Sequence, residues 1–202
     1  MDIPGRNATL NNVMSIANHN LKGIVAALAT LMVFSTIGAA QQADSKDESV
    51  LLEQLTQSTP RQAISIDRQL QSLWSQSGSA SADLLLERGR EALEDGDVKA
   101  AIEHLTALTD HAPQFAEGWH ARASAFFGIE RFGMAAADLE HALSLNPNQY
   151  EAIYGLGLIF EMLDQPEKAY EAYSRALSIH PHHEEVTNAV NRLKPQIEGK
   201  AL

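Results

Sequence analysis

Three stretches of the chain repeat one arrangement of apolar and polar positions. In residues 116–149, Trp119, Ala123 and Phe126 recur at helical spacing, a turn follows, and Ala135, Leu139 and Ala142 recur at the same spacing. In residues 150–183 the corresponding set is Ile153, Gly157 and Phe160, then Ala169, Tyr173 and Ala176. In residues 82–115 it is Leu85, Gly89 and Ala92, then Ala101, Leu105 and Leu108. Each stretch predicts two helices, over 82–94 and 98–111, 116–129 and 132–145, and 150–163 and 166–179. Between the helices of a pair, Asp95-Gly96-Asp97 and Asp164-Gln165-Pro166 mark turns, and Pro166 stands where a helix can start.

The period is 34 residues. Pro113, Pro147 and Pro181 stand that far apart, as do Ala101, Ala135 and Ala169, and Gly89, Ala123 and Gly157. Small residues at the eighth and twentieth positions let the two helices of a unit approach closely. Large residues at the fourth, eleventh and twenty-fourth positions fill the space between units. The proline at position 32 ends the second helix, because proline cannot continue one and restricts the residue before it.

These residues resemble the tetratricopeptide repeat, whose W-x2-L-G-x2-Y, A-x3-F and P pattern has this period. The resemblance covers 102 of the 202 residues. It implies an all-α fold, an α-solenoid of three tandem helix-turn-helix units: 82–115, 116–149 and 150–183. Arg88 and Arg122 stand where the pattern has leucine, and Leu108 where a small residue is usual. A long arginine stem can cover apolar surface while its head stays wet. Leu108 is expected to open the first unit slightly.

Solenoid ends need polar caps. Residues 184–194 suit a C-terminal capping helix, with Val186, Val190 and Leu193 on one face and Pro195 ending it; 195–202 reads as a disordered tail. Toward the N-terminus, 48–81 holds a helical hairpin. One arm carries Val50, Leu51, Leu52 and Leu55; the other carries Ala63, Ile66, Leu70, Leu73 and Trp74, after a Ser58-Thr59-Pro60 turn. A worn repeat is the preferred reading, an unrelated hairpin the alternative. Residues 41–47 read as a flexible lead-in.

Residues 23–40 are uncharged and apolar, follow Lys22, and end in Gly38-Ala39-Ala40 before a polar stretch. That is the layout of a signal peptide cleaved between Ala40 and Gln41. Met14 is an alternative start. The run is also long enough to be retained as an anchor, roughly 17–25 residues being needed to span a bilayer. Either way the remainder is expected outside the cytoplasm, since positive charge stays inside. With the resemblance, this points to an exported bacterial, periplasmic member of the family.

Charge narrows the partners. The net charge is −11, and beyond residue 40 there are 13 basic and 25 acidic residues, a net −12. Such a surface repels nucleic-acid phosphates and anionic lipid heads. With no cysteine there is no disulfide, thiolate zinc site or cysteine nucleophile. No Gly-rich phosphate loop and no G-x-S-x-G turn occurs, so no enzyme activity and no cofactor is expected. His180, His182 and His183, with His111 at the equivalent loop of the first unit, could in principle bind zinc, copper or nickel. An exposed loop around Pro181 offers no preformed site, so no metal is assigned.

In the family, the first helices line a concave groove that holds a peptide or partner helix. The resemblance places Asp83, Leu86, Arg90 and Leu93, then Glu117, His120, Ser124 and Phe127, then Glu151, Tyr154, Leu158 and Glu161 at groove-facing positions. The partner site is assigned to Leu86, Arg90, Glu117, His120, Ser124, Phe127, Glu151, Tyr154 and Glu161, with Leu93 and Leu158 divided between groove and inter-unit packing. Members that bind chaperone tails grip a C-terminal carboxylate with lysines and asparagines. Here those places hold Leu86, Arg90, Ala121, Glu151 and Gly155, so that clamp is absent. The function expected is protein–protein interaction as an adaptor or scaffold. The alternatives are a non-catalytic accessory subunit of an envelope enzyme or assembly complex and, further off, a histidine-based metal handler.

Overall fold

The computed structural model describes residues 47–199, so the segment read as an export signal lies outside the described residues. The chain divides into two units, 1–47 and 48–202, and the second holds the repeats. Its described residues are helical: α1 over 47–57, α2 Pro60–Trp74, α3 Ala80–Glu94, α4 Val98–His111, α5 Ala116–Gly128, α6 Phe132–Leu145, α7 Tyr150–Met162, α8 Pro166–Ile179 and α9 Glu184–Glu198. The pairs α3–α4, α5–α6 and α7–α8 are the three units, and each packs on the next. Their bounds fall within two residues of those predicted from the repeat.

Each start and turn has a local cause. Asp97 caps α4 by accepting from the Ala100 N–H at 3.0 Å. Pro60 and Pro166 occupy first-turn positions, where a missing N–H costs nothing. The Gln62 side chain accepts from the Thr59 N–H, one half of a capping box that starts α2. The turn inside each unit needs a left-handed residue at its fifteenth position. Gly96, Glu130 and Asp164 stand there, 34 apart, with φ of +77°, +59° and +54°. Only the first turn uses glycine, which adopts this conformation without penalty.

The small positions work as the spacing requires. A Cβ on Gly89 would come within 2.5 Å of the Leu105 side chain, and one on Gly157 would run into the Tyr173 ring. Ala101, Ala135 and Ala169 are fully buried. Leu108 is also fully buried and packs against Gly118 of the next unit, where a Cβ would lie 3.0 Å from it. The large residue meets a small neighbour rather than empty space.

Elsewhere the structure departs from expectation. Arg122 does not keep its head in water: its guanidinium is bidentate to Asp138 at 2.7 and 2.8 Å and donates to Thr109 Oγ1 at 2.9 Å. It also lies 4.8 Å from the Trp119 ring centroid. Asp138 accordingly is a buried acid. Pro195 does not end α9, which runs to Glu198, because Ile197 packs against the core and holds the last turn. The loop around Pro181 is not open: His180 is buried, and His182 Nε2 lies 2.7 Å from the Ser58 carbonyl.

The largest departure is in the N-terminal hairpin. The α1–α2 pair does not stack ahead of the first unit as a worn repeat would. Leu55, Ala63, Leu70 and Trp74 are buried in one cluster with Tyr150, Ile153, Tyr173 and Val186 of the third unit and α9. The cluster of the first unit contains none of them. Full burial of a large apolar side chain contributes about 1.5–3 kcal/mol, so Leu55, Leu70 and Trp74 make the hairpin an integral part of the fold.

Candidate functional site

The hairpin runs along the face formed by the first helices of the units. At its turn, the Ser58 carbonyl meets His182 in the loop between α8 and α9. Midway along α2, Asp67 accepts a hydrogen bond from the Tyr150 hydroxyl, and Gln71 Nε2 donates to the same hydroxyl. At the end of α2, Trp74 packs edge-on against Tyr150 with centroids 5.3 Å apart, and its Nε1 donates to Glu48 at 2.8 Å. Asn146 Nδ2 donates to the same carboxylate. Just past α2, Ser75 Oγ accepts from Arg90 of α3. Asp83 then accepts from the Ser77 N–H and hydroxyl at 2.8 and 2.6 Å.

The groove is therefore partly occupied by its own chain, and the nine residues assigned to a partner divide into two groups. Leu86 is buried in the core of the first unit, in one cluster with Leu105, Leu108, Ala121 and Ala125. Arg90 and Glu117 form an ion pair at 2.5 Å, with Glu117 buried and also held by Gln149. Glu161 accepts from Arg192 of α9 and from the Tyr173 hydroxyl. These four side chains hold the protein to itself.

The other five come together. α5 supplies His120, Ser124 and Phe127, and α7 supplies Glu151 and Tyr154, around a cavity of about 470 Å³. Leu158 and Leu139 add apolar wall, and Gly155 lets the wall recede. α2 contributes Asp67 and Gln71, which the repeat pattern could not reveal since they lie outside it. The cavity is of a size typical of ligand pockets, which also combine mostly apolar walls with a few convergent polar groups.

Electrostatics around the cavity are set by acids. Burial alone would raise Glu117, but the charge and hydrogen bond of His120, with the Arg90 guanidinium, hold its carboxyl below the ordinary carboxylate range. Burial alone would lower His120, but the charge and hydrogen bond of Glu117, then the charge of Glu151, raise it above the ordinary imidazole value. His183 behaves alike: burial opposes its charge, yet its Nε2 contact with Glu151 at 3.1 Å leaves it raised. His180 is lowered, by burial first and then by the charge of His183. Among the described residues no three His, Asp or Glu side chains are grouped to share a metal ion.

A stacked series of paired helices with one shared inner face defines a helical-repeat protein. Comparison with known proteins gives the particular kind: profiles described as "Tetratricopeptide repeat" match residues 86–132, 116–149 and 150–183. Residues 86–183 belong to the tetratricopeptide-repeat family. The chain is 29% identical over 140 residues to a TPR repeat-containing protein of Rhizobium etli, covering 69% of each. It is 29% identical over 122 residues to RNA polymerase II-associated protein 3 of Homo sapiens, covering 60% of this chain but only 18% of that protein. Among solved structures, the first TPR of Spaghetti (RPAP3) bound to HSP90 peptide SRMEEVD superposes with a TM-score of 0.57 at 28% identity, over 59% of this chain and 95% of that one.

Proposed function

We propose that the chain is an exported, non-catalytic interaction module that holds a peptide segment of a partner protein in the cavity between α2, α5 and α7. The observation that carries this reading is the convergence of Phe127, Tyr154 and Leu158 with a few polar groups in one cavity on the inner face of the repeats. A few buried side chains, tyrosine prominent among them, carry most of the binding energy at interfaces, truncation of one often costing about 2 kcal/mol or more. A structural neighbour solved with a bound peptide supports the same kind of use.

The chemistry of that neighbour's peptide does not transfer. SRMEEVD ends in acidic residues. Here Leu86 and Ala121 are buried, and the Arg90 guanidinium is committed to Glu117. The partner would therefore differ in charge.

Export rests on the sequence of residues 1–40, and the Rhizobium relative is compatible with a bacterial source. Among the described residues no helix is long and apolar enough to cross a membrane. N-terminal sequencing of protein from the envelope fraction tests export: a start at Gln41 supports a cleaved signal, and a full-length species in the cytoplasm contradicts it. A pulldown with Tyr154→Ala and Phe127→Ala beside Lys99→Glu and Lys168→Glu tests the site. Loss of capture in the aromatic variants alone supports the groove; loss in the lysine variants alone moves the site to the outer face.

A further inference from the structure

The cavity is not the open groove that three repeats would make alone. Its third wall is α2, and that wall is fixed. Trp74 and Leu70 are buried beneath it, and Ser58, Asp67 and Ser75 tie it at both ends and in the middle. With α2 in place, the space left is a pocket of about 470 Å³ rather than a trough along all three units. It suits one or two large side chains of an extended segment better than a full helix, which is about 10–12 Å across.

Apart from His120, which pairs with Glu117, the charged side chains of this pocket are acids. Asp67 stands on the α2 side and Glu151 on the α7 side. Each has one oxygen engaged, Asp67 by the Tyr150 hydroxyl and Glu151 by His183. A carboxylate offers about four acceptor sites, so each retains capacity for a further donor. No lysine or arginine lines the pocket. The arginines flanking it are paired internally, Arg90 with Glu117 and Arg192 with Glu161. His120 faces Glu117 at 3.3 Å. A lysine or arginine is what the pocket lacks, and the net −12 beyond residue 40 would draw a cationic segment toward it.

We infer that the partner segment is a short extended peptide with a large apolar side chain next to a lysine or arginine. The apolar group would sit against Phe127, Tyr154 and Leu158, and the cation would bridge Asp67 and Glu151. This rests on the interaction-module reading above. It adds α2 to the binding surface, and it names charge as what separates this partner from the acidic peptide of the structural neighbour.

The test is selection of a displayed random-peptide library on the full chain. Synthetic copies of the enriched peptides are then measured by fluorescence polarisation. The expected motif is Phe, Trp, Leu or Met beside Lys or Arg, with binding that weakens as salt rises. Asp67→Asn and Glu151→Gln should each weaken the selected peptide by about tenfold, the scale of a lost hydrogen bond to a charged group. Both substitutions keep an acceptor for Tyr150 or His183. Should Glu151→Gln melt early through its His183 contact, Asp67→Asn carries the test alone.

Enrichment of acidic or charge-blind peptides, no enrichment, or carboxylate variants binding like wild type would overturn the inference. If charge-blind peptides still lose binding to Phe127→Ala, the cationic motif falls and the groove survives. If selected peptides bind Phe127→Ala and Tyr154→Ala as well as wild type, the groove reading falls too.

Discussion

Arg122 occupies a position where the repeat pattern has leucine, and restoring leucine should be strongly destabilising. In Arg122→Leu the new side chain matches the pattern and its apolar surroundings at Trp119 and Phe126. What it abandons is Asp138, whose carboxylate receives two guanidinium hydrogen bonds at 2.7 and 2.8 Å while its side chain is only 8% exposed. Thr109 Oγ1 loses its donor as well. Removing one member of a buried ion pair typically costs about 3–5 kcal/mol, because the other charge is left without compensation. In a domain of this size that lowers Tm by roughly 6–20 °C. Arg122→Leu combined with Asp138→Leu removes both charges. It should return most of the loss, since apolar replacement of such pairs is often close to neutral. Urea unfolding followed by far-ultraviolet circular dichroism on the two single variants and the double variant gives the coupling directly. Arg122→Leu unfolding at the wild-type midpoint, or a double variant as unstable as the sum of the singles, would refute the reasoning.

Gly96→Ala should lose about 1 kcal/mol in the same assay. A Cβ there meets nothing within 4 Å, so a left-handed φ of +77° is the whole cost, and an unchanged midpoint would contradict it. Ala135→Phe should cost about 1–3 kcal/mol by forcing α5 and α6 apart, since Ala135 is fully buried; an unchanged melt would count against the register. His120 should titrate above its ordinary value by NMR, and Glu117→Gln should bring it down. The raised value means that the stability from protonated His120 is fully present below the unfolded value near 6.5 and is lost as pH rises through the folded one. Glu117 has the opposite sign: its contribution is present above the unfolded carboxylate value and is lost as pH falls through its depressed folded value.

The repeats were legible because their constraints are local and periodic. Gly89, Ala135 and Pro147 each answer to a neighbour at fixed spacing, so both the helices and their pairing follow from the sequence. The stripe Ala63, Ile66, Leu70 and Trp74 announced an amphipathic helix but not which surface it covers. Its partner Tyr150 lies 79 residues beyond Gln71 of the same helix, and nothing in the spacing records that contact. The same distance hid the site. His120, Ser124, Phe127, Glu151 and Tyr154 were reachable from repeat position, whereas Asp67 and Gln71 enter from outside the repeat. Leu86, Arg90, Glu117 and Glu161 occupy groove positions, but the first unit's own core, Ser75, Gln149 and α9 engage them first. The Arg122 head looks solvated on its own for a related reason: only the fold brings Asp138 to it.

The claim that a partner binds at the cavity between α2, α5 and α7 is tested most directly by site-specific photo-crosslinking. A photoreactive amino acid at Ser124, exposed at the cavity, is compared with the same group at Glu140, exposed on the outer face. The expected result is a discrete covalent adduct from position 124 that disappears when Tyr154→Ala is added, with none from position 140. An adduct from position 140 and none from 124, or one at 124 that is indifferent to Tyr154→Ala, would contradict the account.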